Sequence, residues 1–451
     1  MKSSIFVINI TAGLLSFVNI QAADDISSMF SNGKASGQIR EFSINRKYQG
    51  SAGTTTHRSA NAVGGKLKYE TDELKGVSLG ASFYTTNGFG LGADKANNSK
   101  VDPTLLGKDN NSYSILGEAY FQYKIENTTF KGGRQKLDTP LAGSDDARML
   151  PNLFEAYVLS NTDIPYTTLI AAHVTKFAQG TFGRAYSGGI LAATGGYSAT
   201  DDKNQVGDFV NMGDYAIGTP TKGVTAGAVI YKPNNYFKAQ VWNAYVHDVL
   251  NAIYADADIK WNCLLIDSFH PFLSAQMIKE NNIGDKRLSA IGGDGKIDSL
   301  YWSAKLGFKV AWLTLYGAYS QTSANSTTDV SYANAIISPF GGMPAFTQGM
   351  VTRHQFLAGT KASKVAASYS FNNLGPNISA TAYYASFDMD ENSGYGIKRT
   401  ATEPGFDVIY NDAIVKNLQL RVRGNFPRKF AESASGDTGW NEYRFIANYN
   451  F

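Results

Sequence analysis

Cysteine is almost missing from this chain, and so are the usual marks of catalysis. Cys263 stands alone among 451 residues, so no intrachain disulfide can form, and its apolar flanks make it a small packing residue. There are five histidines, His57, His173, His247, His270 and His354, and none sits in a metal-ligand or catalytic spacing. No phosphate-binding glycine loop or dinucleotide fingerprint occurs. The glycine-rich run Asn87–Gly92 lies between strand candidates and opens no helix. No metal and no cofactor is therefore expected. Beyond the N-terminus no run of about 18 uninterrupted apolar residues occurs, which excludes a membrane-spanning helix. Charge is scarce as well, at 18% with a net of +3, and that argues against a general nucleic-acid binder.

What is abundant is aromatic and glycine: 26 Tyr, 26 Phe and 45 Gly suit many strands, tight turns and interfacial belts. The C-terminal stretch shows how they are arranged. Leu418, Leu420 and Val422 fall on one parity, and Gln419, Arg421, Arg423 and Asn425 on the other. Tyr443, Phe445, Ala447, Tyr449 and Phe451 share a face, opposed by Glu442, Arg444, Ile446, Asn448 and Asn450. Period-two alternation means strands with two unlike faces. A soluble sheet would turn its charged face outward. Here the apolar faces are aromatic-rich, and an apolar-out, polar-in strand ending on an aromatic suits a closed transmembrane barrel. Arg on the lipid face at mid-bilayer costs roughly 2–4 kcal/mol, so Arg421 and Arg423 belong on a wet lumen wall.

About eighteen strand candidates run along the chain. In 253–261, Ile253, Ala255, Ala257, Ile259 and Trp261 oppose Tyr254, Asp256, Asp258 and Lys260. In 298–310, Trp302, Ala304, Leu306, Phe308 and Val310 oppose Ser303, Lys305 and Lys309. Connections alternate between short, as at Glu126-Asn127, and long, as at Lys136–Asn152, Phe177–Thr221 and Ser323–Ala362. Short periplasmic turns and long external loops give this rhythm. A propeller would show a fixed repeat, and none is present. At Lys309–Ala311 two strands adjoin without turn residues. The expectation is all-β: a closed antiparallel transmembrane β-barrel over residues 23–451. It follows a secretory signal peptide over residues 1–22, where Lys2 precedes the moderately apolar run Ile5–Val18 and Ala22 stands before the cut.

Charged residues then locate the candidate site. The connection KLDTPLAGSDDARMLPN carries two prolines together with Asp138, Asp145, Asp146 and Arg148. In a wide barrel such a loop can fold inward and narrow the lumen; the alternative is an ordinary external loop. Arg421, Arg423 and Arg444 form a basic set on neighbouring strands, and closure brings them beside Arg40, Arg46 and Arg58. Parity is less clean in the first strand, because Arg40 and Arg46 share a face with Phe42 and Ile44. A bulge would turn Arg46 into the lumen; without one it snorkels at the membrane edge. Asp256 and Asp258 are expected on another lumen wall, either tuning selectivity or forming an inert solvated face.

These residues resemble a known family. Arg40-Glu41-Phe42-Ser43-Ile44-Asn45-Arg46 is similar to the first-strand motif of the OprD family of outer-membrane porins. Pro140, Ser144–Asp146 and Ala147-Arg148-Met149-Leu150-Pro151 resemble its inward loop. Leu420-Arg421-Val422-Arg423 resembles its paired-Arg strand, and Asn441-Glu442-Tyr443-Arg444-Phe445 its closing strand. The resemblance implies an eighteen-stranded barrel with one lumen per chain for passive uptake of small solutes, favouring carboxylates. These descend a ladder of basic side chains, here Arg46, Arg58, Arg421, Arg423 and Arg444. Asp407 departs from the pattern, standing where family members can carry a ladder Lys. Expected partners are small-molecule solutes, membrane lipid and lipopolysaccharide, with no nucleic acid and with a homotrimer as a candidate assembly. Rival readings are a non-selective general porin, an outer-membrane barrel hydrolase and a structural adhesin without an open lumen. A hydrolase needs a nucleophile and base in reach, and no histidine stands in such a motif.

Overall fold

The computed structural model describes residues 23–451 apart from 50–54, 89–99, 108–109, 187–206, 267, 285–294, 327–331, 376, 394–397, 413 and 434–435. The leader over residues 1–22 lies outside the described residues. Period-two alternation becomes eighteen long strands among the described residues: β1 (Lys34–Gln49), β2 (Thr55–Glu70), β3 (Val77–Asn87), β4 (Tyr113–Ile125), β5 (Thr128–Gln135), β6 (Leu153–Asn161), β7 (Thr167–Ala178), β8 (Val224–Tyr231), β9 (Phe237–Val246), β10 (Leu250–Lys260), β11 (Phe269–Asn282), β12 (Asp298–Val310), β13 (Leu313–Thr322), β14 (Lys361–Ser370), β15 (Ile378–Met389), β16 (Arg399–Asn411), β17 (Leu418–Asn425) and β18 (Gly436–Asn450). Each pairs antiparallel with the next, and β18 returns to β1, with Gln38 opposite Asn450 and Gln49 opposite Gly439. Closure leaves no free edge, the condition for a sheet to span lipid. Two short strands, Val210–Asn211 and Ala431–Ser433, pair onto β7 and β18.

The outer surface is apolar where a soluble protein would be polar. Leu67, Val241, Leu306 and Val365 are each more than half exposed, at 56%, 52%, 61% and 58%. Tyr443, Phe445, Tyr449 and Phe451 also face out, as their parity requires. A contiguous apolar belt of this kind is stable only against lipid.

Strand β1 breaks the expected rule. Its register with β2 runs unbroken from Lys34–Glu70 to Gln49–Thr55, without a bulge. Arg40, Phe42, Ile44 and Arg46 all point inward and are buried, while Glu41, Ser43 and Asn45 take the outer face. Arg46 therefore neither snorkels nor needs rescue. The reason is that this barrel is not hollow behind β1. Phe42 and Ile44 pack on Leu105, Leu106, Met149, Leu150 and Leu153, which come from folded-in loops and the top of β6. Apolar inward residues there meet protein, not water.

The turn at Ala311-Trp312 has the same character. No glycine, asparagine or proline marks it, yet Ala311 takes φ +48° and closes the β12–β13 hairpin.

The lumenal constriction

Two loops, not one, narrow the lumen. The first is residues 136–152, as its acidic, proline-rich sequence suggests. Its hairpin is held by Asp138, which accepts hydrogen bonds from the Ser144 backbone N–H (3.1 Å) and hydroxyl. Asn152 Nδ2 donates to the Gly143 carbonyl (3.0 Å). The second comes from residues 332–360, within the connection Ser323–Ala362 read as a long external loop. The two cross at glycine. A side chain on Gly143 would lie 2.7 Å from Gly342 Cα, and Gly341 and Gly342 adopt φ +74° and +79°. Met343 N–H donates to the Pro140 carbonyl (2.6 Å), and Gly342 N–H to Asp145 (3.3 Å).

Wall carboxylates hold the second loop by accepting its backbone N–H groups. Glu403 of β16 takes those of Met350 and Thr352, the latter at 2.9 Å. Glu280 of β11 takes that of Ile337 at 2.7 Å. Lys364 Nζ donates to the Gln348 carbonyl (2.7 Å). None of these was singled out by sequence, because a lone acid in a strand carries no motif.

The seam between β18 and β1 gathers most of the predicted arginines. Pairing places Arg58, Arg46, Glu442 and Asn425 in one row across β2, β1, β18 and β17. Asp407, Arg423, Arg444 and Ile44 form the next row, across β16, β17, β18 and β1. Glu442 is the centre. Its carboxylate meets Arg46 Nε at 2.9 Å, Arg148 Nη2 at 3.0 Å and Arg444 Nε at 3.2 Å. Arg46 also reaches Asp102 (2.9 Å), from a further tucked-in segment, and Arg148 reaches Thr104 (3.1 Å). Arg46, Arg148 and Glu442 are fully buried. Burial together with Arg444 brings the Arg148 guanidinium down to about 10, against the pull of Glu442. Glu442, Asp102 and Arg40 complete the cluster; Glu442 and Arg40 stood in the seam motifs, and Asp102, in a loop far from them in sequence, carried no signal.

The remaining candidates sort by partner. Arg40 donates to Asp146 (2.7 Å) and to the Arg148 carbonyl. Burial opposes ionisation of Asp146, but Arg40 outweighs it and holds its carboxyl below the usual range. Asp145 is shifted the other way by burial, which Arg353 at 3.8 Å only partly offsets. Asp407 takes both guanidinium groups of β17, Arg421 by a fork (Nε at 2.8 Å) and Arg423 at 3.4 Å. The Arg421 and Arg423 side chains keep 19% and 12% exposure, whereas Arg46 keeps none. Arg58 faces inward beside Tyr48, its guanidinium 5.7 Å from the ring centroid. Asp256 and Asp258 point inward from β10, nearly half-way round the barrel from this seam. Asp256 accepts from Gln240 (2.7 Å) and Tyr254 (2.6 Å), and Asp258 from Ser274. His173 and His247 face outward, bridged by the Thr225 hydroxyl at 3.0 and 2.9 Å, so they do not line the lumen. No grouping of three or more His, Cys, Asp or Glu able to hold a metal ion occurs among the described residues.

A closed eighteen-stranded barrel, apolar outside and narrowed by charged inward loops, is a channel through the bacterial outer membrane. The sequence pattern of outer membrane porins of the OprD family matches residues 28–451, and the chain belongs to that family. Solved structures agree. OpdK of Pseudomonas aeruginosa, crystallised with vanillate, has TM-score 0.72 at 16% identity, covering 94% of this chain and 99% of that one. OccK9 (OpdG) of the same organism gives 0.74 at 18% identity over 94% and 100%. OpdQ gives 0.69 at 14% over 94% and 99%. At such identities the likeness shows the fold. No curated protein matches the sequence.

Proposed function

We propose that this porin passes small hydrophilic solutes bearing a carboxylate, such as amino acids and small organic acids, by passive diffusion along the arginine wall of β17. The observation that carries this is the lumen's charge division. Arg421 and Arg423 keep some exposure on one wall, while Asp256 and Asp258 sit nearly opposite. A carboxylate entering a narrow lumen sheds water, and guanidinium groups replace those hydrogen bonds. The acidic wall suits an ammonium end. Several weak sites permit transit where one strong site would trap. On this reading Arg46, Arg148 and Arg444 act through Glu442 as the frame of the eyelet, and Arg421, Arg423 and Arg58 meet the solute. Residues 1–22 act as the export signal, so the mature chain isolated from outer membranes is expected to begin at Ala23.

A weakly selective general porin is the second reading. It is favoured by Asp407, which already occupies both β17 arginines. Reversal potentials in a KCl gradient across planar bilayers, with uptake of small acids into liposomes, separate the two. Arg421→Ala with Arg423→Ala should cut anion preference and slow acid entry while neutral sugars pass as before. Unchanged anion preference would sink the arginine pathway.

A further inference from the structure

Behind the first constriction loop the barrel wall is apolar on its inner face. Ala172, Ala226, Ala244 and Ala252 stand side by side across β7, β8, β9 and β10, each directly opposite the next. Glu280 of β11 is opposite Ala252 and ends the row. Small side chains in a row leave space between wall and loops. A cavity of about 220 Å³ fills it, roofed by Leu137, Leu141, Phe340 and Met343, with Trp242 on the wall. Lys136, Asp138 and Thr139, all half-buried, make a polar margin. An apolar cavity of about 150 Å³ is enough to hold benzene.

Glu280 supplies the second, independent sign. It is fully buried and lines the cavity. Its Oε2 accepts from Ile337 N–H (2.7 Å) and Ser299 Oγ (3.4 Å). Its Oε1 is buried without a hydrogen-bond partner. A buried acceptor left unmatched costs free energy that a ligand's donor recovers.

We propose that this cavity binds a small, largely apolar ring compound carrying one hydroxyl donor, with the ring over the alanine row and the hydroxyl on Glu280 Oε1. The site is separate from the arginine wall and stands whether or not that wall selects carboxylates. Its size excludes a long chain, and its apolar lining excludes a free sugar.

The test uses 4-fluorophenol, 4-fluoroanisole and fluorobenzene, followed by fluorine NMR with the purified porin in detergent micelles. Ala244→Trp fills the cavity and serves as the blank for uptake into micelles. Wild type should bind 4-fluorophenol about tenfold more tightly than fluorobenzene or 4-fluoroanisole, the margin of one hydrogen bond. In Glu280→Gln the amide oxygen stays on Ile337 N–H and the amide NH2 turns to the cavity. That reverses the polarity, so 4-fluoroanisole, which accepts but cannot donate, should gain about tenfold over its binding to wild type while fluorobenzene binds as before. Ala244→Trp, shown to be folded by heat-modifiable mobility, should bind none of them. The proposal is overturned if uptake by wild type equals the Ala244→Trp blank. It is overturned equally if 4-fluoroanisole binds wild type as tightly as 4-fluorophenol does or gains nothing in Glu280→Gln, which decides the matter alone should Ala244→Trp fail to fold.

Discussion

Glu442 serves three cations at once, and its removal has two separable effects. Glu442→Gln keeps the volume and deletes the charge between Arg46, Arg148 and Arg444. Breaking a buried ionic network from one side costs about 3–5 kcal/mol, because the other side is left uncompensated. Arg46 retains Asp102, so the loss should fall mainly on Arg148 and Arg444. Urea titration of the folded porin in lipid vesicles should show that loss, and reversal potentials should move toward stronger anion preference. Asp407→Asn should shift selectivity the same way with a smaller stability change, since Arg421 and Arg423 keep some contact with water. At this scale sequence was informative about identity and poor about role. Arg421, Arg423, Arg444 and Arg148 were legible as a charged set. Whether each faces solute or is locked in a network depends on acids that parity cannot pair with them, such as Asp102.

Among the elements, the strands and the first inward loop were legible and the second inward loop was not. Alternation placed eighteen strands because lipid and lumen demand opposite chemistry on successive residues. It misread β1, where Phe42 and Ile44 face tucked-in loop residues that alternation cannot foresee. The second inward loop was missed because its anchors, Glu280 and Glu403, sit on distant strands. That loop also carries a pH-sensitive point. His354 Nε2 donates to the Phe430 carbonyl (2.8 Å), and burial lowers its pKa to about 4, with Arg399 adding to the effect. The folded loop thus holds His354 neutral while the unfolded chain protonates near 6.5. Stability from this residue is complete above about 6.5 and is lost progressively as pH falls toward 4, by up to about 3 kcal/mol. Thermal unfolding followed from pH 7 to 4 should steepen in wild type relative to His354→Gln. Equal slopes would assign the acid sensitivity elsewhere.

For the whole molecule, the outer belt makes a sharp forecast. Leu306 is 61% exposed on β12 and lies among outward Ala304 and Phe308. Leu306→Arg should destabilise the vesicle-folded barrel by about 2–4 kcal/mol. In a soluble protein the same exchange at so exposed a site would be close to neutral. Urea titration in vesicles measures it directly.

The placement of Glu442 also bears on how the pore is made. The chain delivers Arg46 with its first long strand and Arg148 soon after, but their shared counter-charge arrives only with the last. Until the final hairpin zips against the first, the eyelet loop's guanidinium lacks the Glu442 carboxylate. The charge that sets the bore is thus completed together with the wall.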